Sequence, residues 1–342
     1  MTLEAREYGA ATEGVALFDL GHRTRLRVSG RAPRQMLDGV LTGTLPAPQG
    51  GPAPDVRSGV GTYHAVLTPK GKMITDLLAL LPGAEDDPGF LLDVPAAGRD
   101  GLLAHFGKFL PPRFATVTDL SDAWSAMAVV GPEAAGVLAR LALGLRVESA
   151  DLATGAEGAW WSVGDAPEAR IVARTADVSS PAWYVYGPSD SVRALRDALV
   201  REGAVPAGAP VWEALRLEAG RPAFGPDMDE GTMPPEAGIV ERAIDQTKGC
   251  YTGQEVIVRI RDRGHVNRHL RRLELDELAV PEPGTELYSD EGKPVGLVTS
   301  AARSPRAGPL ALAWVRRGVE RVRLGGASGP AVVVRDEPLA PV

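Results

Sequence analysis

Two related α+β halves of split βαβ type, followed by a small all-β barrel, are the architecture this sequence predicts. Three observations carry that prediction. A strand–glycine–helix unit at 27–43 returns at 129–144, and a strand–proline–helix unit at 89–110 returns at 182–200. Beyond residue 267 helical spacing gives way to short apolar runs separated by Gly and Pro turns.

Taken in chain order, RVSGRAPRQMLDGVLTG and VVGPEAAGVLARLALG each read as a strand, a turn glycine and an amphipathic helix. Superposing Gly30 on Gly131 sets Met36, Leu37 and Val40 over Val137, Leu138 and Leu141. Between the units, GTYHAVLTPKGKMITDLLALL predicts a hairpin with strands 62–67 and 72–81 around a Pro-Lys-Gly turn. The second unit, GFLLDVPAAGRDGLLAHFGKFL and then AWYVYGPSDSVRALRDALV, places Pro95 and Pro188 alike, with Ser189 or Asp190 available to cap the later helix. A helix over 211–219 puts Val211, Leu215 and Glu218 on one face, and the Gly- and Pro-rich loop after it is long enough to wrap a site. Another amphipathic run opens near Gly253. Domain limits of 1–266 and 267–342 follow.

The chain has 342 residues, 44% of them hydrophobic and 24% charged, so it can bury a large core. Only the Pro- and Gly-rich stretch 47–58 is expected to lack order. A net charge of −7 argues against direct nucleic-acid binding, which needs clustered cations. The local exception is RIRDRGHVNRHLRR, beginning at Arg259, either a solvated surface or an anion site. No apolar window is long enough to span a membrane and no basic–apolar leader opens the chain, so a cytoplasmic protein is the expectation, and a monomer is expected as well. No phosphate-loop, dinucleotide or nucleophile-elbow signature occurs.

Two features carry possible chemistry. Glu218 is either a capping or ion-paired group, or an acceptor for paired N–H donors such as an amino-pyrimidine edge. The single cysteine lies in KGCYTGQE, where Lys248 and a helix starting near Gly253 both favour a thiolate, while the glycines equally suit a purely conformational turn. One thiol does not hold an iron–sulfur cluster by itself.

WEALRLEAGRPAFGPDMDEGTMPPEAG, KGCYTGQEVIVR, RGHVNRHLRRL and GKPVGLVTSAARSP together resemble the folate-binding family shared by the glycine-cleavage T-protein and YgfZ, and KGCYTGQE resembles the YgfZ branch. The resemblance spans almost the whole chain. It implies three subdomains in a ring around tetrahydrofolate or a one-carbon derivative. In the YgfZ branch it further implies support of iron–sulfur cluster assembly or repair, with assembly or client proteins as partners, and indirectly tRNA modification. The alternative it implies is an aminomethyltransferase of T-protein type. Carried over residue by residue, Glu218 matches the pterin-binding glutamate, and Asp76 matches one of a pair of aspartates whose first member is here Thr75. That departure counts against aminomethyl transfer. Cys250 and Asp76 are therefore the catalytic candidates. Glu218, Tyr63, Lys248, Gly249, Tyr251, Gly253, Gln254, Glu255 and Arg259 are the candidate folate-binding residues, and no metal site is expected.

Overall fold

The structure is a computed structural model that describes residues 2–53, 56–82, 89–141, 147–164, 169–276 and 279–335. It contains a five-stranded sheet, an eight-stranded sheet and a closed six-stranded barrel. The five-stranded sheet runs Thr62–Leu67, Met73–Leu80, Phe90–Pro95, Arg23–Ser29, Thr116–Asp119. In the larger sheet the order Ala159–Val163, Arg170–Thr175, Ala182–Pro188, Trp124–Val130 repeats it: hairpin, returning strand, first strand. The next place differs. In the first half Thr116–Asp119, which follows the last helix, pairs antiparallel with the first strand. In the second half that place is taken by the N-terminal strand Ala16–Asp19, antiparallel to Trp124–Val130, with Val205–Pro206 parallel beyond it.

The duplicated signals have a common backbone cause. Gly30 and Gly131, which the sequence superposes, have φ of 120° and 132°, a region closed to side chains. A Cβ at Gly131 would lie 2.2 Å from the carbonyl oxygen of Gly14. Pro95 and Pro188 also match, with φ/ψ of −54°/134° and −50°/136° at the residues that precede the two helical segments. The predicted hairpin strands are found as Thr62–Leu67 and Met73–Leu80. The Pro- and Gly-rich stretch expected to lack order instead forms the edge strand Pro48–Ala53, paired with Val56–Val60; proline is tolerated there because an edge strand leaves ladder donors unused.

Each sheet buries one helical layer. Leu37, Leu102 and Phe106 pack on Leu26, Leu77 and Leu92 of the first half; Val137, Leu138 and Leu195 pack on Val129, Val172 and Val185 of the second. The opposite face of the larger sheet, which carries Trp160 and Tyr184, meets Tyr8, Val211 and Leu215, so the predicted helix, found as Ala209–Glu218, lies against it. Beyond, Arg268–Glu274, Gly308–Arg316, Pro294–Ser304, Glu286–Tyr288, Arg321–Leu324 and Ala331–Val334 close into the barrel, the last strand pairing back to the first through Leu273 and Val334. Among the described residues no helix is long and apolar enough to cross a membrane.

Candidate functional site

Where the two halves face one another beneath helix Ala209–Glu218, they enclose a cavity of about 560 Å³. Strand alternation decides which residues reach it. Asp76 and Leu78 of Met73–Leu80 line it; Thr75 and Leu77 point to the other face. Thr75 is fully buried, so close to Gly98 that a Cβ there would sit 2.0 Å from its Oγ1. The threonine at 75 therefore takes no carboxylate from the cavity and does not count against aminomethyl transfer.

Two carboxylates face this space in contrasting states. Asp76 is 6% exposed and accepts a hydrogen bond from the Tyr63 hydroxyl at 2.5 Å, while its Oδ1 is buried without a partner among the described residues. Burial raises the Asp76 pKa above the usual carboxylate range, against the opposing pull of the Tyr63 hydrogen bond and of Arg23. Asp177 lies just past strand Arg170–Thr175. Burial would raise its pKa too, but Arg242 and Arg23 and hydrogen bonds from Tyr184 and Arg242 hold it well below the usual range. Its oxygens accept from Tyr184 at 2.6 Å and Arg242 at 2.5 Å. Arg242 also donates to Glu157 at 2.8 Å and lies 4.1 Å over the Tyr63 ring, linking the two carboxylate environments. A carboxyl whose pKa burial raises and one whose anion is held by arginines thus share one cavity, the pattern by which paired carboxylates divide acid–base work.

Its walls combine flat apolar surface with donors. Trp212 stacks with Tyr184 at 6.4 Å, and Leu78 and Phe224 extend that surface. Arg174 and Arg221 line it as well, and Nη1 of Arg174 is buried without a partner among the described residues. Deeper, Asp93 takes hydrogen bonds from Arg23 at 2.9 Å and Tyr186 at 2.8 Å.

Of the residues singled out in the sequence, Asp76 and Tyr63 line the cavity. Glu218 does not. It is fully buried and accepts from Tyr8 at 2.7 Å, Ser179 at 2.6 Å, Ser304 at 2.5 Å and Arg306 at 2.9 Å, which ties the N-terminal helix Leu3–Glu13, the second half and the barrel together. The KGCYTGQE residues also lie off the cavity. Lys248 donates to the carbonyls of Leu41 and Gly43 at 2.8 Å each and pairs with Asp38 at 3.1 Å. Tyr251 is buried with Leu67 and Met73. Gly253, at φ 85°, caps helix Gln254–Arg263, and a Cβ on it would meet the Thr68 carbonyl oxygen at 2.6 Å, so the helix end abuts the first half's hairpin turn. Gln254 and Tyr251 line a separate cleft of about 190 Å³, while Gly249, Cys250, Glu255 and Arg259 are exposed.

Asp177, Arg242, Glu157 and Tyr184 were not singled out from the sequence. Arg242 and Asp177 meet from 65 residues apart, a pairing that no local period encodes. The available signal was the loop after Glu218, read as long enough to wrap a site, since Arg242 follows directly from it.

Residues 2–248 match the family described as GCVT N-terminal domain, and residues 268–336 match the glycine cleavage T-protein C-terminal barrel domain. An aminomethyltransferase of Rubrobacter xylanophilus is 30% identical over 335 residues, covering 97% of this chain and 82% of that one. An aminomethyltransferase of Corynebacterium jeikeium is 29% identical over 355 residues, covering 97% and 86%. The crystal structure of the glycine cleavage system aminomethyltransferase T from Bartonella henselae shares the fold, with a TM-score of 0.80 at 21% identity over 98% of this chain and 89% of that one. The chain belongs to the glycine cleavage T-protein family.

Proposed function

We propose that the central cavity binds tetrahydrofolate or a one-carbon derivative, and that the chain is a folate-dependent transferase of the aminomethyltransferase type. The observation that carries this reading is Asp76, a buried acid with a raised pKa, oriented by Tyr63 in a cavity with flat aromatic walls. The residues present fit the group. Trp212 and Tyr184 offer a face to a pterin ring; Asp177, held ionised, suits its paired N–H donors; Arg174 and Arg221 suit an anionic tail. Relatives bearing the name aminomethyltransferase over most of their length support the same reading. When bound, reduced folate supplies the nitrogens that carry the one-carbon unit. Burial shifts Asp76 toward its protonated form, which suits it to give a proton to a departing amine, while Tyr63 fixes its orientation.

A second reading, support of iron–sulfur protein maturation as in the YgfZ branch, is favoured by one observation: Cys250 is solvent-exposed at the surface of KGCYTGQE, a motif built onto the first half rather than into the cavity. On this reading folate binds in the same cavity and the thiol meets a partner.

The test has two arms. Calorimetric titration of tetrahydrofolate against Asp177→Asn is expected to show affinity reduced by about 10–100-fold, the scale of one or two charge-assisted hydrogen bonds. Unchanged affinity would take the pterin away from Asp177. Production of methylenetetrahydrofolate from an aminomethylated lipoyl carrier protein separates the readings, because the first requires it and the second does not.

A further inference from the structure

The geometry points to a second ligand site: we propose that the cleft between strand Arg23–Ser29 of the first half and helix Ser189–Arg201 of the second binds a small phosphomonoester. The cleft encloses about 200 Å³ and shares no lining residue with the central cavity. Three arginines converge on it. Arg25 comes from the first half, and Arg193 and Arg196, three apart and so on one helix face, come from the second.

Arg25 makes this more than a surface patch. It is 4% exposed, and no carboxylate among the described residues bonds to it: Nη1 donates to the Arg23 carbonyl at 2.6 Å, and Nη2 to the carbonyls of Ser121 and Trp124 at 2.9 and 3.0 Å. Its Nε is buried without a partner among the described residues. A guanidinium held this way keeps a spare buried donor, a costly arrangement that a bound oxyanion relieves.

The acidic groups nearby do not outweigh the arginines. Asp19 lines the cleft and its Oδ1 accepts the Gly21 N–H at 2.6 Å, and Asp190 pairs with Arg193 at 3.4 Å, largely in solvent, so three cations face two anions. Ser125, which now donates to Ser189 at 2.9 Å, can turn its hydroxyl toward a ligand. Apolar lining comes from Leu17, Met127 and Val192, which belong to one core cluster. An oxyanion against the arginines with a short carbon chain over those three residues satisfies both parts of the cleft, which favours a phosphomonoester over free phosphate.

The experiment titrates the full chain with inorganic phosphate, glycerol 3-phosphate and acetate, followed by calorimetry. Saturable binding of glycerol 3-phosphate is expected, tighter than that of inorganic phosphate, with acetate weakest. The double variant Arg193→Gln/Arg196→Gln keeps the buried Arg25 and so should fold like the parent. It is expected to weaken glycerol 3-phosphate by about tenfold or more, the scale of losing one charge-assisted hydrogen bond. Tetrahydrofolate affinity should stay unchanged in the same variant. No saturable binding of either phosphate overturns the site. Binding unaffected by the double variant overturns its location, and acetate binding as tightly as glycerol 3-phosphate overturns the phosphate assignment.

Discussion

Set side by side by their strand registers, the two halves differ at the residues that face the cavity. Asp93 and Tyr186 occupy the same place, opposite Leu78 and Ile171, and bond to one another across the junction at 2.8 Å. In that frame Tyr63 and Asp76 of the first half fall on Ser162 and Ala169 of the second. The second half has no acid on its two hairpin strands, Ala159–Val163 and Arg170–Thr175. It contributes Asp177 instead, from the loop beyond the strand. Duplication thus supplied a near-symmetric frame with a cavity at its junction, and each half then placed one carboxylate there by a different route. The two carboxylates differ in environment, because the strand-borne Asp76 feels Arg23 and Arg242 without an ion pair among the described residues, while the loop-borne Asp177 pairs directly with Arg242.

The largest effect is expected where this asymmetry is erased. Asp76→Asn should lower methylenetetrahydrofolate production by about 10²–10⁴-fold, the usual worth of a general acid, with tetrahydrofolate affinity nearly kept. Thr75→Val, on the opposite face of the same strand, should change turnover little. Ala169→Asp, which gives the second half the missing acid, should not restore the Asp76→Asn enzyme, since its position lacks a counterpart of Tyr63. Restored turnover would mean that the two hairpins are interchangeable.

A stability effect comes next, at the seam between the halves and the barrel. Glu218→Gln leaves the shape of the side chain but removes the charge that Arg306, Tyr8, Ser179 and Ser304 surround. A loss of roughly 2–3 kcal/mol in urea unfolding is expected, with folate affinity unchanged. An intact unfolding midpoint together with weakened folate binding would reverse this assignment and return Glu218 to the ligand.

Acid should act on one half before the other. His22, His64 and His105 all belong to the first half, and no histidine lies between residues 120 and 206. All three have lowered pKa values, chiefly through burial, His64 to about 3 with Lys248 adding to the effect. His64 is fully buried, accepting the Gly43 N–H at 3.0 Å; the matching residue of the second half is Val163. Because the folded pKa lies below the unfolded value of about 6.5, this stability is complete above that pH and is lost as pH falls toward the folded value. From His64 alone the loss between pH 6.5 and 5 should be roughly 2 kcal/mol. Hydrogen exchange at pH 5 is expected to lose protection in strands 23–29, 62–67 and 73–80 before strands 124–130 and 170–188. Equal loss in both halves would place the acid sensitivity elsewhere.

What the sequence made legible follows from how each feature is encoded. The halves, the hairpin and the barrel were readable because their signals are local: a glycine at positive φ, a proline ahead of a helix, apolar residues at period two or 3.6. Asp76 was readable because a motif surrounds it. Asp177 and Arg242 were not, since their pairing arises only when the second half and the loop after Glu218 come together. Glu218 was misjudged for a related reason. Its helix face was read correctly, but its four partners come from four distant segments, so a saturated structural carboxylate and a free ligand-binding one look identical in sequence.

The smallest biophysical effect is expected at Cys250, and the contrast with its neighbours makes the result informative. Lys248 and Gly253 hold KGCYTGQE against the first half, by donation to Leu41 and Gly43 and by close approach to Thr68, whereas the cysteine between them is exposed and makes no core contact. A structural reason for Gly253 and Lys248 is therefore at hand, and none applies to Gly249 or to the sulfur. Cys250→Ser and Cys250→Ala should shift unfolding by less than about 0.5 kcal/mol, the range for surface substitutions away from special features. Folate affinity should be the same as in the parent, because the cavity lies apart from the motif. Gly253→Ala should behave oppositely, losing stability through a forced left-handed alanine against the Thr68 carbonyl. With stability and folate binding held constant, a cell lacking the protein becomes a clean assay of the thiol. If Cys250→Ala fails to restore iron–sulfur enzyme activity while the folded variant keeps full methylenetetrahydrofolate production, the surface thiol has a role separate from the cavity, and the second reading of the function stands beside the first. Full restoration by the alanine variant leaves the cavity as the site of function and the motif as the clamp that docks helix Gln254–Arg263 onto the half that carries Asp76.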